Sequence, residues 1–218
     1  RRTGVPGVAV GVVYGDETVY TRGYGVRSTE TRRRVDPDTV FQIASLSKPV
    51  SGTVVAAEVG TGTFAWTDPV HDALPSFVLG DPYVTEHATY ADLFAMHVGI
   101  PGNAGNDLEA LGYDRATILE RMRFLALTPF RASYHYSNFS LTAGGQAAAA
   151  AAGTTWEALA AQRLFGPAGM TSTSAVYADA LAAPNRAVLH VRRDSEWVPE
   201  FERAPDAQAS AGGVSSTV

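Results

Sequence analysis

The chain contains a single lysine, Lys48, within the stretch FQIASLSKPV that spans residues 41–50. The other sixteen of its 17 basic residues are arginines. An arginine keeps its proton in proteins, whereas burial or a nearby cation can push a lysine amine towards its neutral form. Ser45 lies three residues before Lys48, so a helix would bring the hydroxyl and the amine to the same face. Together they are the parts of a serine nucleophile whose base is a lysine.

Pro49 indicates where the helix that carries this pair begins. A proline fits only in the first turn of a helix, which predicts a start near Ser45 or Leu46. The hydroxyl would then lie at the positive end of the helix dipole, beside backbone N–H groups that stabilise a developing oxyanion. The spacing alone is weak evidence. The chain has fourteen serines in 218 residues, so a serine would stand three residues before the lysine by chance about one time in sixteen. A surface helix pair is the alternative.

A second polar group stands in YHYSNFS, residues 134–140, just before another predicted helix. Tyr136 can relay protons beside a neutral lysine, and the amide of Asn138 can hold a substrate amide or orient the lysine. Taken singly, the segment also fits a turn, since serine and asparagine favour turns. Because both polar groups precede helices, we interpret them as one site.

Composition and charge exclude several classes of function. A net charge of −5 argues against binding to nucleic acid or to anionic lipid. The chain has no cysteine, which rules out disulfides and thiolate chemistry. No apolar run is long enough to span a bilayer, and the five histidines lack metal-ligand spacing. We therefore do not expect a zinc enzyme, and the compartment stays undetermined.

The elements that must position these residues follow the order strands, helices, strands. We predict a hairpin from 5–14 and 18–26, helices over 45–60, 89–97, 114–127, 140–153 and 154–165, and a second hairpin from 186–191 and 196–202. This order predicts an α+β fold whose helices form their own layer. The predicted regions are 1–44 (hairpin and lead-in), 45–185 (mostly helical) and 186–218 (hairpin and Gly-rich loop), all within one domain. The six-alanine run after residue 146 predicts close helix packing.

SLSK followed about ninety residues later by YSN resembles the penicillin-recognising serine hydrolases. Within them, the chain is similar to the branch of class C β-lactamases, esterases, DD-carboxypeptidases and D-aminopeptidases. The resemblance also rests on VPGVAVGVV and GYGV, TYADLFAMHVGIPG, PFRASYHYSN, LFGPAGM and SAGGVSS, and so covers nearly the whole chain. It implies a β-lactamase/transpeptidase-like fold: an antiparallel sheet flanked by helices, with a mostly helical subdomain, as a single catalytic domain over 1–218.

The resemblance also implies a role for each matching residue. Ser45 would attack the substrate carbonyl and become acylated, with Lys48 and Tyr136 as the base pair and Asn138 contacting the substrate and Lys48. The Ser45 backbone N–H would supply one oxyanion donor, and water would release the acyl group with no metal or organic cofactor. The substrate would be a small molecule or peptide: a D-amino-acid peptide, a simple ester or a β-lactam. Among the members of the family, the chain resembles the peptidase- and esterase-like ones most.

The family's third motif, Lys-Thr-Gly or a His-x-Gly variant on a sheet strand, is not found on a predicted strand. SAGGVSSTV, residues 210–218, ends in helix-cap residues with no helix after them. We therefore expect the chain to be truncated before the last sheet strands, and a C-terminal segment or a second chain to complete the site. Loss of one oxyanion donor typically costs about a hundredfold or more in rate. A catalytically silent penicillin-recognising binding module, or an inactive truncated fragment, is the alternative to an enzyme.

Overall fold

The computed structural model describes residues 4–218, so the first three residues of the predicted lead-in region lie outside it. The α-helices are α1 (Ser47–Gly60), α2 (Val70–Ala73), α3 (Pro82–His87), α4 (Tyr90–Phe94), α5 (Asn106–Ala110), α6 (Arg115–Arg121), α7 (Asn138–Ala151), α8 (Trp156–Ala160), α9 (Tyr177–Ala182) and α10 (Ala209–Gly212). The strands are β1 (Gly7–Tyr14), β2 (Glu17–Gly25), β3 (Phe41–Gln42), β4 (Leu189–Arg193), β5 (Glu196–Phe201) and β6 (Ser215–Ser216). Helices and antiparallel strands together confirm the predicted α+β class.

Within residues 4–218 the strands pair as three separate two-stranded antiparallel ladders: β1 with β2, β3 with β6, and β4 with β5. The first and third are the two predicted hairpins, with their ends shifted by a few residues. Gly15 and Asp16 between β1 and β2 both have positive φ, as do Asp194 and Ser195 between β4 and β5. Two consecutive residues with positive φ form a two-residue hairpin turn whose twist matches that of the flanking strands.

The helices α1 and α7, which we call the site helices, lie in the main hydrophobic core. The core includes Val54 and Val55 of α1 and Phe139 of α7, all completely buried. The alanine run of α7 contributes three buried residues, Ala147, Ala148 and Ala149, which agrees with the predicted close packing. These small side chains let neighbouring helices approach α7 without leaving voids.

Three predicted helices are longer than the α-helices in the structure. The α-helix within the one expected over 154–165 covers only Trp156–Ala160, and the chain continues as a π-helical turn to Phe165. The helix expected over 89–97 ends at Phe94, because Met96 takes a left-handed conformation with φ of 58° that a helix cannot contain. The helix expected over 114–127 ends at Arg121 and continues as a short 3-10 turn to Phe124. The helix that carries Asn138 starts two residues earlier than predicted, at Asn138 itself.

The helix of the Ser45–Lys48 pair begins in two steps. A 3-10 turn covers Ala44–Leu46, and α1 starts at Ser47, with Pro49 as its third residue. This confirms the prediction that the proline belongs to the first turn, where its missing N–H leaves no hydrogen bond unmade. Among residues 4–218, no helix has both the length and the apolar character needed to cross a membrane.

Candidate active site

Ser45 lies at the junction between β3 and α1. Ala44, just before it, has a φ of 48°, so the chain leaves the strand through a left-handed residue and enters the 3-10 turn. Ser45 is exposed on that turn, while Lys48 is half-buried in the first turn of α1. The Lys48 Nζ donates a hydrogen bond to Ser45 Oγ at 3.2 Å. The spacing of three residues therefore brings the hydroxyl and the amine into contact.

The start of α7 brings the second polar group to the same place. Ser137 caps this helix: it is fully buried and its hydroxyl accepts from the Ser140 N–H at 3.1 Å. The residues on either side of the cap face Ser45 and Lys48. The hydroxyls of Tyr136 and Ser45 are 2.7 Å apart, and Asn138 Oδ1 accepts from Lys48 Nζ at 2.7 Å.

The Lys48 amine has three hydrogen-bond acceptors around it. Besides Ser45 Oγ and Asn138 Oδ1, the backbone carbonyl of Ala211 accepts from Nζ at 2.9 Å. A lysine ammonium has three N–H donors, so these three oxygens account for all of them. Nζ also lies 4.7 Å from the centre of the Tyr136 ring, which adds a cation–π contact. The amine is thereby held at one position between the two helices and residue 211.

Residues 209–216 form the third side of the site and are locked onto the start of α1. The Val214 N–H donates to Ser47 Oγ at 2.9 Å, and the Ile43 N–H donates to the Val214 carbonyl at 3.0 Å. The Ser51 hydroxyl of α1 also donates to the Ser210 carbonyl. These bonds fix the backbone on both sides of Ala211, and so fix the carbonyl that accepts from Lys48.

The segment that leads to Tyr136 is fastened to α4 and the loop after it. Arg131 binds both carboxylate oxygens of Asp92, with Nε and Nη2 at 2.8 and 2.7 Å. The backbone N–H groups of Arg131 and His135 donate to the carbonyls of His97 and Met96. The left-handed Met96 that ends α4 early is therefore one of the residues that hold this segment.

The pKa values of Tyr136 and Asp92 both lie below their ordinary values. Partial burial raises the pKa of Tyr136, but hydrogen bonding with Lys48 and Ser45 and the positive charge of Lys48 outweigh burial, so this pKa lies below that of an ordinary tyrosine. Burial likewise raises the pKa of Asp92, and the hydrogen bonds from Arg131 and Thr89 outweigh it, so this pKa is also lowered.

The structure thus brings together all four residues singled out in the sequence: Ser45, Lys48, Tyr136 and Asn138. Two partners were missed. One is the carbonyl of Ala211, which no residue type encodes. The other is Asn106, whose Oδ1 accepts from Asn138 Nδ2 at 3.1 Å. Its only sequence signal is the GNAGN pattern, which by itself predicts a turn. No group of three or more possible metal ligands occurs within residues 4–218.

A hydroxyl held between a phenol and an amine, beside the first turn of a helix, is suited to nucleophilic attack. The family described as Beta-lactamase matches residues 1–218, the whole of the chain. The chain belongs to this family. Its predicted resemblance to the β-lactamase and penicillin-binding-protein group is thereby confirmed.

Individual relatives agree with this assignment. The chain is 25% identical over 229 residues to the unguisins hydrolase ungD of Aspergillus violaceofuscus, with 98% of this chain covered. The class C β-lactamase of Rhodobacter sphaeroides superimposes with a TM-score of 0.78 at 25% identity over 99% of the chain. The octameric penicillin-binding protein homologue of Pyrococcus abyssi superimposes with a TM-score of 0.81 at 21% identity over 100% of the chain, which shows the common fold.

The chain covers only part of each of these proteins. It spans 40% of the length of the Aspergillus hydrolase, 58% of the Rhodobacter β-lactamase and 51% of the Pyrococcus protein. The shared part holds both site helices, α1 and α7, and residues 209–216.

Proposed function

We propose that the protein is a serine hydrolase that cleaves amide or ester bonds through an acyl-enzyme on Ser45. The observation that carries the proposal is the position of the exposed Ser45 hydroxyl, 2.7 Å from the Tyr136 hydroxyl and 3.2 Å from Lys48 Nζ. Membership of the Beta-lactamase family and the likeness to a relative named as a hydrolase support it.

In the proposed acylation step, Tyr136 and Lys48 act as a base pair. The Tyr136 oxygen takes the proton of Ser45 while the charge of Lys48 stabilises the phenolate, which agrees with the lowered pKa of Tyr136. Ser45 Oγ bonds to the substrate carbonyl carbon, and the Ser45 backbone N–H is one donor to the resulting oxyanion. The bond to the leaving nitrogen or oxygen then breaks, and the leaving group takes the proton from Tyr136.

In the second step, a water oxygen bonds to the acyl carbon and gives a proton to the same pair. The bond between Ser45 Oγ and the acyl carbon then breaks, Oγ takes the proton from the pair, and the acid product leaves. Asn138 contributes an amide N–H to the substrate and its oxygen to Lys48. The substrate classes supported by the resemblance are peptides that end in a D-amino acid, simple esters and β-lactams. One site of this kind can accept several acyl donors, so the fold does not decide among them.

The proposal is tested by intact-mass spectrometry after incubation with a fluorescent penicillin and, separately, with an activated ester. The protein is expressed at the full length that its gene encodes. We expect one covalent adduct per chain that is lost in Ser45→Ala. We also expect acylation to be slowed about a hundredfold or more in Lys48→Arg, because arginine cannot offer the same three N–H groups from one nitrogen.

Two outcomes contradict the proposal. An adduct that persists in Ser45→Ala would place the nucleophile elsewhere. The absence of an adduct with either acyl donor, for a folded protein, would instead support a binding module without catalytic activity.

A further inference from the structure

Three asparagine side chains form a chain of hydrogen bonds that leads away from Lys48. Asn138 Oδ1 accepts from Lys48 Nζ at 2.7 Å, and Asn138 Nδ2 donates to Asn106 Oδ1 at 3.1 Å. Asn106 Nδ2 in turn donates to Asn103 Oδ1 at 3.3 Å. Both linking amides have the same direction, with the oxygen towards the amine and the nitrogen away from it.

The direction of the Asn138 amide matters because its two ends are nearly equal in shape. If the amide turned over, its NH₂ group would face the Lys48 amine, and two donors would meet. Asn106 Oδ1 is an acceptor, so it can bind Asn138 only while the nitrogen of Asn138 points towards it. The bond to Asn106, whose own nitrogen donates to Asn103, therefore matches the orientation that the Lys48 amine requires and reinforces it.

We propose that Asn106 is a positioning residue: it fixes the amide of Asn138 and through it holds Lys48 against Ser45. The inference rests on the proposed function, and it adds a residue outside the SLSK and YSN motifs. An asparagine has two N–H donors on its side chain. One N–H of Asn138 donates to Asn106, and the other remains free to donate to a substrate carbonyl. The bond to Asn106 also sets the direction of that second N–H.

The backbone around Asn106 is built for this contact. Gly105 has a φ of 88°, and a Cβ there would lie 2.6 Å from Cδ2 of Phe139 and 2.9 Å from Cε of Met122. Only glycine combines that conformation with such a close approach. Phe139 directly follows Asn138, so the absence of a side chain at 105 lets the start of α5 reach the start of α7.

Further bonds hold α5 at both ends. Before the helix, the Asn103 N–H donates to the Tyr136 carbonyl at 3.2 Å. At its other end, Glu109 accepts from Arg203 Nη2 at 2.9 Å and from Gln208. The short helix is thus attached to the segment before α7 and to the segment before α10, so Asn106 is held between the elements that surround Lys48.

The test compares acylation rates across pH in Asn106→Leu, Asn106→Asp and the wild type, with the activated ester as the probe. Leucine has a similar size and no acceptor, and we expect it to slow acylation about tenfold, the effect of one lost hydrogen bond, and to change the pH profile. Aspartate keeps the acceptor and should restore most of the rate. Asp107→Leu, which introduces leucine at the exposed neighbouring position of α5, is the control and should acylate like the wild type.

Thermal unfolding of each variant separates positioning from simple loss of structure. Equal losses of rate in the leucine and aspartate variants, together with equal losses of stability, would overturn the inference in favour of a structural role. Wild-type rate and pH profile in Asn106→Leu would also overturn it, while the Ser45-dependent adduct would leave the proposed function standing. If the wild type itself forms no adduct, both proposals fail.

Discussion

The site helices and the β1–β2 hairpin use apolar side chains in opposite ways. On α1 and α7 the apolar residues Val54, Val55 and Phe139 are completely buried. On the hairpin, Val13 and Tyr14 are 69% and 80% exposed. Burial of a large apolar side chain contributes about 1.5–3 kcal/mol, so the site helices contribute to stability through their side chains and the hairpin mainly through its backbone ladder.

This difference shows how the chain maintains a strained, polar site. Ser45 follows a left-handed Ala44, and several polar groups converge on one amine. Such an arrangement persists only where the surrounding structure determines it. The packed core beneath α1 and α7 provides that support, and the hairpin lies apart from it. Substitutions in the two regions should therefore have very different consequences.

The largest effect is expected for Phe139→Ala, in the residue that follows Asn138. Phe139 is completely buried and contacts the position of Gly105. We expect a loss of about 3–5 kcal/mol in the free energy of unfolding, because a large cavity opens in a core that can only partly relax. Urea unfolding followed by circular dichroism measures it. A loss below about 1 kcal/mol would contradict the view that the start of α7 is held by core packing.

The next effect concerns the rate of acylation rather than stability. In the proposed mechanism Tyr136 would act as a base in its deprotonated form, and its pKa lies below the ordinary value of 10.0. A lowered pKa increases the phenolate share at neutral pH, so the rate should rise with pH and level off at a pH below 10. Tyr136→Phe should lower the rate about a hundredfold and abolish the rise. A variant that keeps the wild-type pH profile would assign the base to another group.

A smaller effect is expected where Asp92 binds Arg131. The Asp92 side chain is 11% exposed, and Asp92→Asn should lower the free energy of unfolding by about 1–2 kcal/mol at neutral pH. This is the contribution of a charged hydrogen bond, reduced because solvent screens the exposed arginine. The folded-state pKa of Asp92 is lowered, so its stabilisation is present above the ordinary value of 3.8 and is lost as the pH falls through the lowered value. Urea unfolding should therefore show a difference in the free energy of unfolding between the wild type and Asp92→Asn that is smaller at acidic pH than at neutral pH.

The exposed pair of Arg193 and Glu200 on β4 and β5 is the control for this prediction. It has the same two-bond geometry, with Glu200 52% exposed. Glu200→Gln should leave the urea midpoint close to that of the wild type, because solvent screens an exposed pair. Equal losses from the two substitutions would show that burial of Asp92 contributes nothing to the strength of its ion pair.

The Ser45–Lys48 pair and both hairpins could be predicted because each depends on local rules. A spacing of three residues places two side chains on one helix face, and Pro49 limits the helix start to within one turn. Gly15 and Asp16 are residue types that tolerate positive φ. In each case the determining residues lie within a few positions of the feature they determine.

The remaining parts of the site depend on contacts between distant segments. Asn106 reaches Asn138 because α5 packs on Phe139, and the carbonyl of Ala211 reaches Lys48 because Val214 and Ser47 bond across 167 positions of the chain. Met96 ends α4 early in a left-handed conformation that methionine does not favour by itself. Local preference gave no sign of these features, because tertiary packing overrides it.

The smallest effect is expected on the β1–β2 hairpin. The same substitution, valine to threonine, can be made there and on a site helix. Val13→Thr replaces a methyl group by a hydroxyl that water can bind, so stability should change by less than about 0.5 kcal/mol. Val55→Thr makes the same replacement at a completely buried position of α1, where the hydroxyl loses water and should cost about 1–3 kcal/mol. Because shape and β-branching are the same in both variants, their difference in urea midpoint isolates burial. Equal shifts would mean that the hairpin surface is covered in solution and that the contrast between the two regions does not hold.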